Sequence, residues 1–144
     1  MKICIDTSIL VELDRKNEKL IHFLKTIIKD HDIFLSVISI LEILTGSNLR
    51  KDRMKAVNKA KSIMGQFIWV DIDSEIAEKS AEINAFLITQ GEKIEIQDVI
   101  IAASSMIKKC DYILTYNKDH FTRIPSIKKK VLTPEELNQR LQLE

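Results

Sequence analysis

The sequence predicts a three-layer α/β/α domain built on a mainly parallel sheet of about four to five strands. Short apolar runs of strand length alternate along the whole chain with longer amphipathic segments, and parallel strands need such helical crossovers. Only three Gly and two Pro are present, which implies short loops and much helix. At 144 residues and 45% hydrophobic content, residues 1–144 are expected to form a single domain able to bury a core without staples. No internal repeat, low-complexity tract or linker interrupts it.

Lys2 to Ile5 reads as a short buried strand, and Thr7 or Ser8 can cap a helix that runs to about Leu13. From about Asn17 to Lys29, Leu20, Phe23, Leu24, Ile27 and Ile28 recur on one helical face. Ile33 to Leu35 is the second strand. Ser36 or Ser39 can cap the next helix, which carries Leu41, Glu42 and Leu44 and is expected to end near Gly46. Met54, Val57, Ala60, Ile63 and Met64 mark an amphipathic helix between about Leu49 and Met64, with a basic outer face. Phe67 to Val70 is strand-like. Asp73 or Ser74 opens a helix whose Ile76, Ala77, Ala81, Ile83 and Leu87 face inward before Gly91 stops it. Glu95 to about Lys108 is apolar almost all round, the pattern of a helix packed between other elements. Tyr112 to Thr115 is a further strand and Lys130 to Leu132 the last. Thr133-Pro134-Glu135-Glu136 is a capping box with Pro at the first helical position.

Lys and Arg number 22 against 21 Asp and Glu, so a net charge of +1 exerts no global pull on nucleic acid. Any polyanion binding must come from local patches or a bound cation. Cys4 and Cys110 lack the close Cys/His spacing of zinc sites and read as buried thiols. No cationic segment followed by an apolar stretch opens the chain, and no run reaches about 18 apolar residues, so a soluble cytoplasmic protein without a membrane role is expected.

Four acids stand where the local pattern predicts burial. Asp6 ends Ile3-Cys4-Ile5, Glu42 interrupts Val37-Ile38-Ser39-Ile40-Leu41, Asp98 lies within Ile96 to Ala103, and Asp119 follows Tyr112 to Thr115. A carboxylate at the edge of a core is costly unless paired, hydrogen-bonded or bound to a cation. Each has a plainer reading: Asp6 as a helix cap, Glu42 as a solvated helix residue, Asp98 as an acid favoured by a helix N-terminus, Asp119 as a turn acid. Their combination points to a shared site beyond the carboxyl ends of the strands, where open parallel sheets bind ligands. An oxygen-only ligand set favours Mg²⁺ or Mn²⁺ over zinc.

Asp6-Thr7-Ser8-Ile9-Leu10, Ser39-Ile40-Leu41-Glu42-Ile43, Ile96-Gln97-Asp98-Val99-Ile100-Ile101-Ala102-Ala103 and Leu114-Thr115-Tyr116-Asn117 running to Phe121 resemble the ordered motifs of PIN-domain ribonucleases. Within that family the chain looks most like VapC-type toxins of toxin–antitoxin systems. The resemblance implies a Mg²⁺- or Mn²⁺-dependent endoribonuclease with Asp6 and Asp98 as metal ligands and Glu42 holding the metal or its water. It also implies that Thr7 or Ser8 braces the site and that Thr115 supports the rim. Asn117 occupies the place of a fourth acid, with Asp119 as the nearby acidic candidate and His120 beside it. Metal-activated water attacking in line leaves a 5′-phosphate and a 3′-hydroxyl. The scattered His22, His31 and His120 give little support to a histidine-based ribonuclease that would leave a cyclic phosphate.

RNA contacts fall to Arg50, Lys51, Arg53 and Lys55, to Lys128 to Lys130, or to Lys16 and Lys118 nearer the expected rim. By the same resemblance the partners are an RNA substrate, a cognate antitoxin whose carboxyl-terminal segment covers the groove, and a second copy in a homodimer formed through helices of the amino-terminal half. A PIN nuclease of RNA processing or DNA repair without antitoxin, and an inactive PIN scaffold, are the alternatives.

Overall fold

A computed structural model describes residues 1–142. Its elements run β1 (Lys2–Ile5), α1 (Thr7–Asp14), α2 (Glu18–Ile27), β2 (Asp32–Ser36), α3 (Val37–Asn48), α4 (Arg53–Met64), β3 (Ile68–Val70), α5 (Ser74–Thr89), α6 (Ile96–Ile107), β4 (Tyr112–Leu114), α7 (Lys118–Thr122), β5 (Val131–Leu132) and α8 (Pro134–Gln142). The five strands form one sheet in the order β3-β2-β1-β4-β5, with every pairing parallel. The expected three-layer architecture is therefore present.

Strand alternation divides the interior in two. Ile3, Ile5, Ile33, Leu35 and Leu114 pack with Leu10, Leu24 and Met64 on one face. Cys4, Phe34 and Ile113 pack with Ile76, Leu87, Val99 and Ala102 on the other. Successive side chains of a strand point to opposite faces, so three-residue strands suffice to join both cores.

The chain moves from β1 outward to β2 and β3, then crosses back to β4 and β5 on the opposite side of β1. Strand order thus reverses between β1 and β4, and their carboxyl ends are held together by the Asp6 N–H donating to Leu114 O at 3.1 Å. Loops leaving such a point diverge to opposite faces and leave a crevice between them.

Local signals explain most boundaries. Asp6, rather than Thr7 or Ser8, caps α1, its carboxylate accepting the Ser8 N–H at 2.8 Å. Ser36 caps α3 and Asp73 caps α5. The predicted box opens α8: Thr133 Oγ1 accepts the Glu136 N–H at 3.2 Å, and Glu136 Oε2 accepts the Thr133 N–H at 2.8 Å. Gly46 does not end α3, which continues to Asn48, and α4 begins at Arg53 rather than near Leu49. Glycine inside a helix costs only about 1 kcal/mol relative to Ala, so packing of the same helix overrides it. Helix α7 was unanticipated because its five residues are too few to show a periodic pattern.

Candidate active site

Asp6 is both a helix cap and the floor of a cleft of about 770 Å³ at the β1/β4 switch point. Its carboxylate is 1% exposed and is held from three sides. Oδ1 accepts the Ser8 N–H at 2.8 Å and the Ser8 hydroxyl. Oδ2 accepts the hydroxyl of Thr115, a fully buried residue, at 2.7 Å. Ser8 Oγ in turn accepts the Tyr116 N–H at 3.0 Å, and Thr115 Oγ1 accepts the Asn117 N–H at 2.8 Å. Two hydroxyl residues therefore tie the first helix to the loop after β4 through one carboxylate.

Glu42 reaches the same cleft from α3. The Thr7 hydroxyl donates to its Oε1 at 2.8 Å and lies 3.0 Å from Ser39 Oγ. Asp98 enters from the first turn of α6, where a carboxylate complements the helix dipole. Asp98 Oδ2 lies 2.7 Å from His120 Nδ1. Neighbouring Gln97 lines the cleft with its Oε1 buried and without a hydrogen-bond partner among the described residues.

Burial above all, with neighbouring charge adding less, perturbs Asp6 and Glu42. Burial pushes the Asp6 carboxyl up from its ordinary value, the hydrogen bonds from Ser8 and Thr115 oppose the rise, and the Asp98 charge adds to it. Burial likewise raises Glu42, against the Thr7 hydrogen bond and with the charges of Asp98 and Asp6. A folded-state carboxyl raised above its unfolded value stabilises the fold most at low pH, and that contribution is lost as pH rises from the ordinary value through the raised one. Glu42→Gln removes one such charge. The expected result is a metal-free melting temperature at neutral pH about 2 °C above wild type, with a flatter decline as pH rises through the carboxylate range. A melting curve equal to or below wild type at every pH would show that Glu42 bears no repulsion.

The sequence-predicted residues divide clearly. Asp6, Thr7, Ser8, Glu42, Asp98 and Asn117 line the cleft, with Thr115 directly beneath. Asp119 is not brought to it. Its side chain is 78% exposed and pairs with Arg123 at 2.7 Å, because one helical step turns it about 100° away from its neighbour His120, which does line the cleft. Lys118 is bound to both oxygens of Glu136 at 2.7 and 2.8 Å, away from the cleft. Lys16 sits at φ 60, a left-handed residue closing α1, with the Asn17 N–H donating to Glu12 O at 3.1 Å. Its side chain faces a separate groove between α2 and α4. Arg50 is paired with Asp14 and Asp52, and Lys130 Nζ donates to Cys110 O.

Sequence reasoning overlooked Arg15, the one Lys or Arg side chain among the described residues that lines the cleft, as well as the rim acids Glu12, Glu95 and Glu135. Arg15 pairs with Glu12 at 2.9 Å. Cys4 and Cys110 are free and buried, and burial pushes the Cys110 thiol up to about 12, which makes it a poor nucleophile.

Among the described residues, no three acidic, His or Cys side chains form a ready-made metal cluster. The donor set nevertheless fits a hard cation. Mg²⁺ binds through one or two carboxylates and retains several waters, which suits an open cleft with mutually repelling carboxylates. Gln97 Oε1, buried beside the cleft, is an acceptor left unsatisfied among the described residues. Among the described residues, no helix is long and apolar enough to cross a membrane.

An all-parallel α/β/α sheet with an acid-lined cleft at its switch point is the class of structure this chain adopts. The PIN domain family model matches residues 3–127, and the chain belongs to that family. Solved structures share the fold. One is a chain of VapBC2 from Rickettsia felis bound to a DNA fragment from its promoter, with TM-score 0.83, 20% identity, and coverage of 92% of this chain and 98% of that one. A chain of DNA-bound VapBC from Salmonella typhimurium superimposes with TM-score 0.83 at 19% identity over 93% of this chain and 98% of the other. A chain of FitAcB from Neisseria gonorrhoeae gives TM-score 0.74 at 24% identity, covering 92% and 98% respectively. Comparison with curated proteins gave no match.

Proposed function

We propose that the chain is a Mg²⁺- or Mn²⁺-dependent endoribonuclease that acts in the cytoplasm as the toxin of a toxin–antitoxin pair. The observation that carries this reading is the convergence of Asp6, Glu42 and Asp98 from three separate elements on one cleft where their charges oppose one another. A divalent ion bound there would be held by Asp6 and Asp98, offset charge on the phosphoryl oxygens and ease ionisation of a water. Glu42, held by the Thr7 hydroxyl, takes the proton of the attacking water; a raised pKa brings a carboxylate nearer the range of a working base. Ser8 and Thr115 keep Asp6 in one rotamer, so attack occurs in a fixed geometry. The products carry a 5′-phosphate and a 3′-hydroxyl.

The likeness to chains of the VapBC structures supports the toxin assignment and an antitoxin partner, whose carboxyl-terminal segment would cover the cleft. Homodimer formation is supported by α3, which leaves Leu41 59% exposed and Ile38 and Ile40 only partly covered. The test is incubation of the purified chain with total RNA and Mn²⁺, followed by sequencing of 5′-phosphate ends. Discrete new ends are expected with wild type, none with EDTA, and none with Asp98→Asn. Ends that persist in EDTA and in the variant would refute a metal-dependent site at Asp98.

A further inference from the structure

We propose that His120 positions Asp98, acting as a hydrogen-bond donor beside Asn117, which stands in the place of a fourth acid. The inference rests on the nuclease reading above and deepens it. His120 Nδ1 stands 2.7 Å from Asp98 Oδ2, and the Asp98 side chain is only 15% exposed. An ionised carboxylate can only accept, so Nδ1 carries the proton in this bond. Hydrogen bonds to a carboxylate at this length are among the stronger ones a protein makes. Oδ2 takes this bond, Oδ1 has no side-chain hydrogen bond among the described residues, and the carboxylate so oriented would retain lone pairs for a cation.

The helix that carries His120 is anchored on several sides, although the His120 side chain itself is 38% exposed. Next to it Phe121 is 0% exposed and lodged in the core with Ile101 and Val99. At the start of α7, Lys118 is clamped to Glu136 of α8, and at its end Arg123 reaches Glu92 at 3.5 Å and donates to Lys93 O at 3.3 Å. Both ends and the buried side of this short helix are thus anchored to different parts of the fold, and His120 is the α7 side chain that meets Asp98. Charge supports the same assignment. Glu12, Glu95 and Glu135 already surround the three central carboxylates, and another acid against Asp98 would add repulsion, whereas a histidine donor orients the carboxylate without adding negative charge. Residues that hold a metal ligand in orientation typically change metal affinity by about 10–100-fold when removed.

The experiment compares the full chain with His120→Ala, His120→Asn and His120→Gln. The Asn amide nitrogen occupies the place of Nδ1, and the Gln amide reaches the place of Nε2. Mn²⁺ affinity is measured by calorimetry, and cleavage of a short fluorescent RNA is followed across Mn²⁺ and RNA concentrations. The expected result is a Mn²⁺ Kd weakened about 10–100-fold in His120→Ala, cleavage partly recovered at high Mn²⁺ with the RNA KM little changed, and both properties returned toward wild type by His120→Asn but not by His120→Gln. Wild-type Mn²⁺ affinity in His120→Ala would overturn the positioning role while leaving the nuclease reading intact. Rescue by Gln alone would overturn it too, by placing the action at Nε2 on the substrate side. A wild-type chain that neither binds Mn²⁺ nor cleaves RNA would refute the nuclease reading and the inference with it.

Discussion

Asp6→Asn is expected to lower RNA cleavage by about 10²–10³-fold or more, the scale of losing a group that acts on transition-state charge, while the protein stays folded. The substitution is nearly isosteric. Asn Oδ1 can still accept the Ser8 N–H and hydroxyl, and the new amide faces Thr115 Oγ1, a hydroxyl that can accept as well as donate. What changes is the charge. A buried carboxylate whose ionisation is resisted by burial and by Asp98 becomes neutral, so the metal-free melting temperature should match or exceed that of wild type. The melting-temperature rise on adding Mn²⁺ should shrink in parallel, because a ligand stabilises only in proportion to its affinity for the folded state. Loss of cleavage accompanied by unfolding would assign Asp6 a purely structural role as the α1 cap. Cleavage within tenfold of wild type would remove it from the chemistry altogether.

The dual duty of Asp6 shows why the sequence could locate it without separating its roles. A helix cap and a cation ligand both call for an acid directly after a strand, and here the same side chain satisfies a backbone donor and floors the cleft. The alternation of short apolar runs and amphipathic segments was legible enough to predict the parallel sheet, since helical crossovers leave few other arrangements. It was equally sufficient to place Asp98 near a helix start, whereas Glu42 lies in the second turn of α3. Contacts made across long sequence separations were not legible. The Thr115 to Asp6 bond spans 109 positions and the Thr7 to Glu42 bond 35, and no local pattern announces either.

His120 was passed over for a different reason. A search for a fourth acid leaves Asn117 and Asp119 as the candidates, and only the helical turn that rotates adjacent side chains apart shows that the histidine faces the cleft. Lys16 and Lys118 were favoured by closeness in sequence to the rim. Lys16 serves instead as the left-handed turn that ends α1, and Lys118 as the tie between α7 and α8. Arg15, immediately before that turn, is the basic residue the backbone delivers to the cleft.

Phe121→Ala tests whether α7 is the element that carries this arrangement. The side chain is fully buried among Val99, Ile101, Ile113 and Ile124, so truncation is expected to cost about 3–5 kcal/mol through lost contacts and the cavity left behind. At about 2–4 °C per kcal/mol for a chain of this size, the melting temperature should fall by roughly 10 °C. A five-residue helix cannot hold itself together in water without tertiary anchors. Losing Phe121 should therefore loosen Asn117 and His120 before it unfolds the sheet, and cleavage measured well below the new melting temperature should drop further than the folded fraction does. Asp119→Ala is the matched comparison on the outer face of the same helix. It removes only an exposed pair with Arg123, of the kind that contributes little, and is expected to leave both melting and cleavage at wild-type levels. If Phe121→Ala lost stability but kept full cleavage per folded molecule, α7 would be packing alone; if Asp119→Ala lost cleavage, the outward face of α7 would belong to the functional surface.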